Sequence, residues 1–263
     1  MNKINTFFSL LLILFASILK ADETFLSWEK INALFVQQNL NTKALSHVEC
    51  FFKEHENTVF RKKISYLVSN LNRCSGDSLI TLDSKRYFAI VDYTKDSDEK
   101  RLYIVDRVTG KINKMAVAHG RFKGSLINPR VSYLKNSILK SKYYSNELNS
   151  NAPSSGFFVA GTQYDGKFGN SLTLHGLENR INDNACERAV VIHKHLMVTK
   201  DRAFVLSSGC PMISKKFINE VVDNLKSEES DSGLVTKNGG VVFIYGEREK
   251  NWESQTCRGE FNI

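Results

Sequence analysis

Beyond its first twenty residues, this chain lacks any long run of apolar side chains. Residues 7–19 form one compact apolar stretch after Lys3, and Ala21 offers the small residue typical of a cleavage site. The stretch is shorter than the roughly 20 apolar residues of a membrane-spanning helix. The pattern predicts a signal peptide over residues 1–21, export, and no permanent membrane anchor. Because Leu19 and Lys20 are unusual beside a cleavage site, an uncleaved N-terminal anchor is the alternative.

The sequence also lacks the motifs of several large functional classes. It has no internal repeat, no sustained heptad pattern, no Walker loop and no dinucleotide-binding fingerprint. The formal net charge is +8 and stays positive without Lys3 and Lys20. A basic chain suits an anionic polymer, which includes nucleic acid, anionic lipid and cell wall. The predicted export argues against nucleic acid.

Proline is scarce, and none lies between residues 23 and 72. Apolar side chains recur there at three-to-four spacing among charged neighbours, which predicts helix. We therefore expect a helical N-terminal segment over residues 22–76 that packs against the rest of the protein. The apolar positions are Leu26, Ile31, Leu34, Phe35, Phe51, Phe52, Phe60, Ile64, Leu67 and Leu71.

After Gly76 the pattern changes to that of β-strands. Runs rich in β-branched and aromatic residues alternate with turns, and a turn at Val108, Thr109 and Gly110 predicts a hairpin. Ser214 is a candidate N-cap for a helix over residues 215–226. The polar segment 122–154 predicts a long loop, with a short helix at most, that borders a binding groove. Strands are predicted at residues 86–93, 101–106, 111–117, 156–162, 171–174, 189–193 and 240–245.

These elements predict a mainly β (α+β) protein. Residues 77–250 form the β-rich domain, residues 22–76 precede it as the helical segment, and residues 251–263 are a C-terminal tail. The length suits one large domain with an added helical segment.

Five cysteines are an odd number for an exported chain, so at least one is expected to be unpaired in a monomer. An oxidising compartment tends to pair spare thiols, so the unpaired one is either buried and inert or kept for chemistry. Spacing does not settle the pairing. The partition that we favour joins Cys50 to Cys74 and Cys186 to Cys257, because it leaves Cys210 free.

A histidine and a cysteine stand out as a candidate catalytic pair. His193 ends a predicted strand, and Cys210 follows seventeen residues later in a turn with Ser208 and Gly209. A free thiol near pH 7 is only a few per cent thiolate, and a neighbouring imidazole raises that fraction and returns the proton to a leaving amine. Amides near Gly209 and Cys210 can face a developing oxyanion. No Asp or Asn is placed to orient the histidine, so the carbonyl of Lys194 is the expected acceptor.

A single His and a single Cys also suit roles without catalysis. Buried packing residues are the commoner role for such a pair, and a zinc site at His193, His195 and Cys210 lacks paired ligand spacing and a fourth ligand. Papain-type proteases place Cys before His, and the caspase signature is absent. We expect no metal and no cofactor.

Several motifs follow one another in order along the chain. They are residues 100–106 (KRLYIVD), 117–120 (VAHG), 155–159 (SGFFV), 174–178 (LHGLE), 182–184 (NDN), 189–193 (AVVIH) and 207–211 (SSGCP). Together they resemble the murein L,D-transpeptidase catalytic-domain family of the YkuD-like superfamily, in its S-x-G-C-P branch. The superfamily often has Gly where this chain has Lys194 and His where it has Ser208, and the branch tolerates the second departure better than the first. Lys194 affects the fit of the substrate more than catalysis.

The resemblance implies a β-sandwich or barrel fold and a peptidoglycan L,D-transpeptidase without metal or cofactor, either periplasmic or associated with the cell wall. Cys210 would attack the carbonyl of the third residue of a tetrapeptide stem and release D-Ala, and His193 would act as the base. An amine of a second stem would give a 3-3 crosslink, water would give L,D-carboxypeptidase activity, and a lysine of a wall-anchored protein would give an anchored polypeptide. The resemblance does not choose among these acceptors.

Further residues are candidates for supporting roles. Ser207, Ser208, Gly209 and Lys194 are expected to support the nucleophile and the oxyanion. His175, Arg188 and Tyr164 are candidate substrate-binding residues, although a structural role is favoured for His175 and more so for His119. Arg188 either binds a substrate carboxylate or orders the loop before the catalytic strand.

Two competing functional classes remain at this point. A wall-binding module that kept the fold and lost turnover would have an inert or disulfide-bonded Cys210. An exported cysteine protease would have the right groups in the wrong chain order for the common families.

Overall fold

The computed structural model of the chain describes residues 24–68, 71–122, 136–231, 235–246 and 257, with the backbone alone over residues 62–68 and 71–78. The predicted signal peptide lies outside the described residues, as does the predicted tail apart from Cys257. Within the described ranges, no helix is both long enough and apolar enough to cross a membrane.

The secondary structure is mainly β. Helices α1 (Trp28–Gln37) and α2 (Thr42–His55) come first in the chain, and α3 (Ile218–Leu225) comes near its C-terminal end. The strands are β1 (Phe60–Val68), β2 (Leu71–Ile80), β3 (Tyr87–Asp92), β4 (Leu102–Asp106), β5 (Ile112–Met115), β6 (Val117–Ala118), β7 (Gly156–Gly166), β8 (Gly169–Gly176), β9 (Val191–Lys194), β10 (Met212–Ile213), β11 (Glu228–Glu229), β12 (Val235–Lys237) and β13 (Val241–Tyr245).

One large mixed sheet organises the molecule. Its strand order is β5-β4-β3-β13-β7-β8-β9-β10-β6, with β13 parallel to β3 and β10 parallel to β9. The two outer strands, β5 and β6, are separated in sequence by Ala116 alone. The sheet therefore curls until its edges meet at one point of the chain, and it is nearly closed. This confirms the expected mainly β fold with N-terminal helices.

Both faces of the central strands are buried. In β3, Phe88 and Ile90 belong to a core shared with α1 and α2, whereas Ala89 and Val91 belong to a second core that includes α3. Such strands appear as nearly continuous apolar runs. The helices thus pack directly on the sheet, as expected for a supporting segment.

The prediction of helix beyond α2 is wrong over residues 60–68 and 71–72. These residues form β1 and the start of β2, which pair antiparallel from Phe60 opposite Ile80 to Val68 opposite Leu71. The apolar spacing of this segment also fits a helix, but the two strands follow each other closely in the chain and pair with one another. Cross-strand pairing of this kind overrides local propensity.

The predicted cap of the last helix is also wrong. Helix α3 begins at Ile218, and its N-cap Phe217 makes no side-chain capping bond. Ser214 instead closes a preceding turn, since its carbonyl accepts the Phe217 N–H at 3.0 Å. The hairpin of β4 and β5 is confirmed, with Gly110 at φ +74° in its turn. Residues 136–154 of the predicted loop contain neither helix nor strand, and residues 123–135 lie outside the described ranges.

The favoured disulfide partition is wrong. Cys50 of α2 pairs with Cys257, with 5.6 Å between their Cα atoms, and Cys186 is also disulfide-bonded. The bond from Cys50 closes a loop of more than two hundred residues, which spacing in the sequence does not reveal. Cys210 is the free cysteine among the described residues. The expectation that Cys210 is unpaired is therefore confirmed, although the pairing of the other cysteines is not.

Candidate active site

The two predicted catalytic residues lie close to each other, His193 in β9 and Cys210 in the turn before the neighbouring strand β10. In the parallel pair of β9 and β10, His193 is in register with Met212, and the His193 N–H donates to the carbonyl of Pro211 at 3.3 Å. Cys210 directly precedes Pro211, so the pairing brings the thiol to the strand that carries the imidazole. The Cys210 thiol itself donates to the carbonyl of Ala189, just before β9, at 3.4 Å.

The orientation of His193 is set by the backbone. Its Nδ1 lies 3.0 Å from the carbonyl oxygen of Lys194, as expected from the sequence. Because a carbonyl only accepts, this contact places the proton on Nδ1 and leaves the lone pair of Nε2 to act as a base. The ring of Phe168 stacks on the imidazole, with 4.2 Å between the ring centroids. Burial lowers the pKa of His193, with a further contribution from His195, so the imidazole is neutral near pH 7.

The thiol of Cys210 is held in its neutral form in the free protein. Burial raises the pKa of Cys210, and this effect is opposed by a hydrogen bond from the Val191 backbone and by the charge of Arg188. The site therefore holds a neutral thiol and a neutral base before substrate binds. Proton transfer to His193 is then the route to a thiolate.

The turn before Cys210, the predicted nucleophile, is held by a backbone-to-side-chain hydrogen bond and a left-handed glycine. Gly209 has φ +122°, and its N–H donates to the Ser207 hydroxyl at 3.0 Å. Ser207 is buried, and Ser208 is exposed. In the described part of the chain, nothing accepts a hydrogen bond from the Cys210 N–H. That amide is available to an oxyanion, whereas the Gly209 amide is already used.

Replacing Gly209 with Ala should slow acylation of Cys210 by about tenfold to a hundredfold, because the turn must move. A Cβ there would lie 2.8 Å from the carbonyl oxygen of Ala152, and φ is left-handed. Such backbone strain costs roughly 1–3 kcal/mol. Stopped-flow or mass-spectrometric rates with a β-lactam acylating agent measure the effect.

Gly110→Ala is the matched control for this variant. Gly110 has φ +74°, and an added Cβ would lie 2.8 Å from Leu34, but it sits in the β4–β5 turn outside the site. We expect comparable thermal destabilisation with an unchanged acylation rate. Equal loss of acylation in both variants would show that the Gly209 effect is only global.

The predicted substrate-binding residues differ in how exposed they are. Tyr164 of β7 is half-buried, and its pKa is raised by burial and by the proximity of Cys210. His175 of β8 is 6 % exposed, and its imidazole lies close to Gly161. Burial lowers the pKa of His175 to about 4. The side chain of Lys194 lies over Gly169 in the β7–β8 turn, and its carbonyl oxygen accepts a hydrogen bond from His193 Nδ1.

Arg188 orders the long loop. Its guanidinium donates to the carbonyls of Ser145 and Ala152 at 2.5 and 2.6 Å, and to the Ser154 hydroxyl at 2.5 Å. This is the scaffold alternative considered for Arg188. The loop thereby borders the nucleophile turn, since the Ala152 carbonyl faces Gly209.

Sequence reasoning missed Phe168 and Ala189. Phe168 is 44 % exposed at the tip of the β7–β8 hairpin, and an exposed aromatic residue in a tight turn is the signal that could have drawn attention to it. Ala189 has a left-handed φ of +52°, which its residue type does not announce. Its backbone aims a carbonyl at the thiol.

Comparison with known proteins shows a match to a protein family. The family described as the L,D-transpeptidase catalytic domain matches residues 56–230, which include His193 and Cys210. No curated protein matches.

Two solved structures resemble the chain at 11 % identity. Both are of the helical cell shape determining protein Pgp2 from Campylobacter jejuni, one being a lysine-to-alanine variant. The TM-scores are 0.35 for the variant and 0.34 for the other, and the alignments cover 78 % and 75 % of this chain. The chain spans about half of those proteins, 54 % and 55 % respectively. The family match, which covers more than half of the chain, shows that this protein belongs to the L,D-transpeptidase catalytic-domain family.

Proposed function

We propose that the protein is a peptidoglycan L,D-transpeptidase that works through a thioester on Cys210. The observation that supports this most directly is the free Cys210 thiol beside the strand of His193, whose Nδ1 is fixed by the Lys194 carbonyl. A wall-binding module without turnover would not need a free thiol and an oriented base. The substrate is a tetrapeptide stem, and the bond attacked joins its third residue to D-Ala.

The first half-reaction forms the acyl-enzyme. His193 Nε2 takes the Cys210 proton, and the sulfur attacks the carbonyl carbon of the third stem residue. The oxyanion accepts from the Cys210 N–H, which has no acceptor among the described residues. The C–N bond to D-Ala then breaks, the imidazolium gives its proton to the leaving amine, and a thioester remains.

The second half-reaction transfers the acyl group to an amine. The amine of a second stem attacks the thioester, loses its proton to His193, and expels the Cys210 sulfur, which regains the proton. The product is a 3-3 crosslink. Water in place of the amine gives a tripeptide, and a lysine of a wall-anchored protein gives an anchored polypeptide.

An exported location accompanies this activity. The predicted signal peptide over residues 1–21 would deliver the chain to the periplasm or the cell wall. Disulfides at Cys50, Cys186 and Cys257 support an oxidising compartment. The positive net charge suits an anionic wall polymer.

The test is incubation of the mature protein, and of Cys210→Ala, with purified disaccharide-tetrapeptide fragments, followed by mass spectrometry. With the wild-type protein we expect dimers that have lost one D-Ala and a thioester adduct on the protein. With Cys210→Ala we expect neither product. Tripeptide without dimer would replace the transpeptidase with an L,D-carboxypeptidase. Identical masses with both proteins would contradict catalysis and favour the wall-binding module.

A further inference from the structure

The guanidinium of Arg188 carries a positive charge that no side chain in the described part of the structure neutralises. Its three hydrogen bonds go to two backbone carbonyls and a hydroxyl, all neutral acceptors. Among the described residues no carboxylate pairs with it, and burial lowers its pKa. A half-buried cation without a counter-ion raises the electrostatic potential of its surroundings.

This charge lies against the residue that precedes the nucleophile. Arg188 Nη2 is 3.2 Å from the position that a Cβ on Gly209 would occupy, and the same nitrogen donates to the Ala152 carbonyl that faces Gly209. The next residue, Ala189, accepts the hydrogen bond of the Cys210 thiol. Arg188 and Ala189 therefore contact the nucleophile turn on two sides.

We propose that Arg188 is a positioning residue, whose fixed positive charge favours the thiolate of Cys210 while its hydrogen bonds hold the 145–154 loop against the nucleophile turn. The inference deepens the proposed function and rests on it only in taking Cys210 as the nucleophile. Its electrostatic part concerns the thiol itself and can be tested without any cell-wall substrate.

The other titratable groups around the thiol do not replace this charge near neutral pH. Tyr93, which directly follows β3, and Tyr164 of β7 both interact with the charge of a Cys210 thiolate, but burial raises the pKa of each phenol, so both stay neutral. His193 of β9 is neutral because burial lowers its pKa. Arg188 is thus the permanent charge that stabilises a thiolate at Cys210.

The experiment is the pH dependence of Cys210 alkylation by iodoacetamide in the full mature protein, followed by the mass of the Cys210 peptide. Arg188→Gln should raise the apparent pKa of the thiol by about one unit, as expected for loss of an opposite charge nearby. Alkylation near neutral pH would then be about tenfold slower, with rates that converge at high pH. Arg188→Lys should keep the wild-type titration, because it keeps the charge.

Arg180→Gln is the matched control, since it removes the same charge from an exposed position in the same loop. It should leave the titration unchanged. A purely structural role for Arg188 predicts that Lys and Gln disturb the site alike, and an unshifted titration in Arg188→Gln would overturn the proposal.

A second measurement uses the wild-type protein, so it tests the proposal even if Arg188→Gln does not fold. The quantity measured is the ratio of the alkylation rate with anionic iodoacetate to the rate with neutral iodoacetamide. This ratio should be higher for Cys210 than for free cysteine, and added salt should lower it. A ratio equal to that of free cysteine would overturn the electrostatic role. If these thiol results hold while the wall-fragment assay shows no product, the proposed function fails and the role of Arg188 stands.

Discussion

His193→Gln should lower the rate of Cys210 acylation at pH 7 by about a hundredfold to ten-thousandfold, the usual contribution of a positioned general base. The thiol is neutral in the free protein, since burial raises the pKa of Cys210. Without an imidazole to accept the proton, only the small thiolate fraction can react. The measurement is the acylation rate with a β-lactam agent, together with release of D-Ala from tetrapeptide fragments.

The acylation rate should depend on pH differently in the wild type and in His193→Gln. Burial lowers the pKa of His193, so the wild-type rate should hold down to pH values below the ordinary 6.5 of histidine. In His193→Gln the rate should instead climb steadily above pH 7, because thiolate forms by simple ionisation. The gap between the two proteins should therefore narrow as the pH rises.

His195→Gln provides the matched control. His195 lies two residues further along, where its Nδ1 accepts the N–H of Met197. We expect its acylation rate to stay within a few-fold of the wild type. Equal losses in the two variants would count against a specific base at His193 and revive the zinc alternative.

The placement of His193 beside Cys210 could be predicted from the sequence better than the surroundings of these two residues. The order of a strand histidine, a turn and a cysteine reflects backbone pairing, and β9 and β10 do bring His193 to Pro211 and Cys210. The orienting carbonyl of Lys194 could be predicted as well, because no acidic side chain was placed to do the work. Both inferences concern residues close together in the chain.

Features that depend on distant contacts could not be predicted. Phe168 covers His193 because β8 pairs with β9, and Cys50 of α2 bonds to Cys257, which lies 207 residues away in sequence. The β1–β2 hairpin was mistaken for helix for a different reason, since its pairing is local and its apolar spacing also fits a helix. Arg188 was noticed, but its acceptors are backbone carbonyls of the 145–154 loop, which have no signature in sequence.

Acidification should destabilise the fold strongly, through buried neutral histidines. His119 is fully buried, and its Nδ1 accepts a hydrogen bond from Arg101 at 2.7 Å while its Nε2 donates to the Ser137 carbonyl at 3.0 Å. Burial and the nearby Arg101 charge lower the pKa of His119 to about 3. A protonated imidazole would face the guanidinium directly. His175, also buried, has its pKa lowered to about 4.

A pKa that is lower in the folded state gives stability that is present above about pH 6.5 and is lost as the pH falls towards the folded value. Each group costs about 1.4 kcal/mol per pH unit below 6.5. At pH 4.5 the two histidines together should remove about 5 kcal/mol from the free energy of unfolding, which is as much as the whole stability of many domains.

Denaturant unfolding at pH 7.0 and pH 4.5 measures this loss directly. His175→Phe keeps an aromatic ring and removes the titration, and the Nδ1 that it replaces has no hydrogen-bond partner among the described residues. The variant should lose about 2.5 kcal/mol less unfolding free energy between the two pH values than the wild type, which is the share of His175. The difference between the pH values is the quantity to compare, because any packing cost of the new ring is present at both. Equal unfolding free energy at both pH values in the wild type would mean that these histidines are charged in the folded protein, with the Arg101 contact of His119 broken.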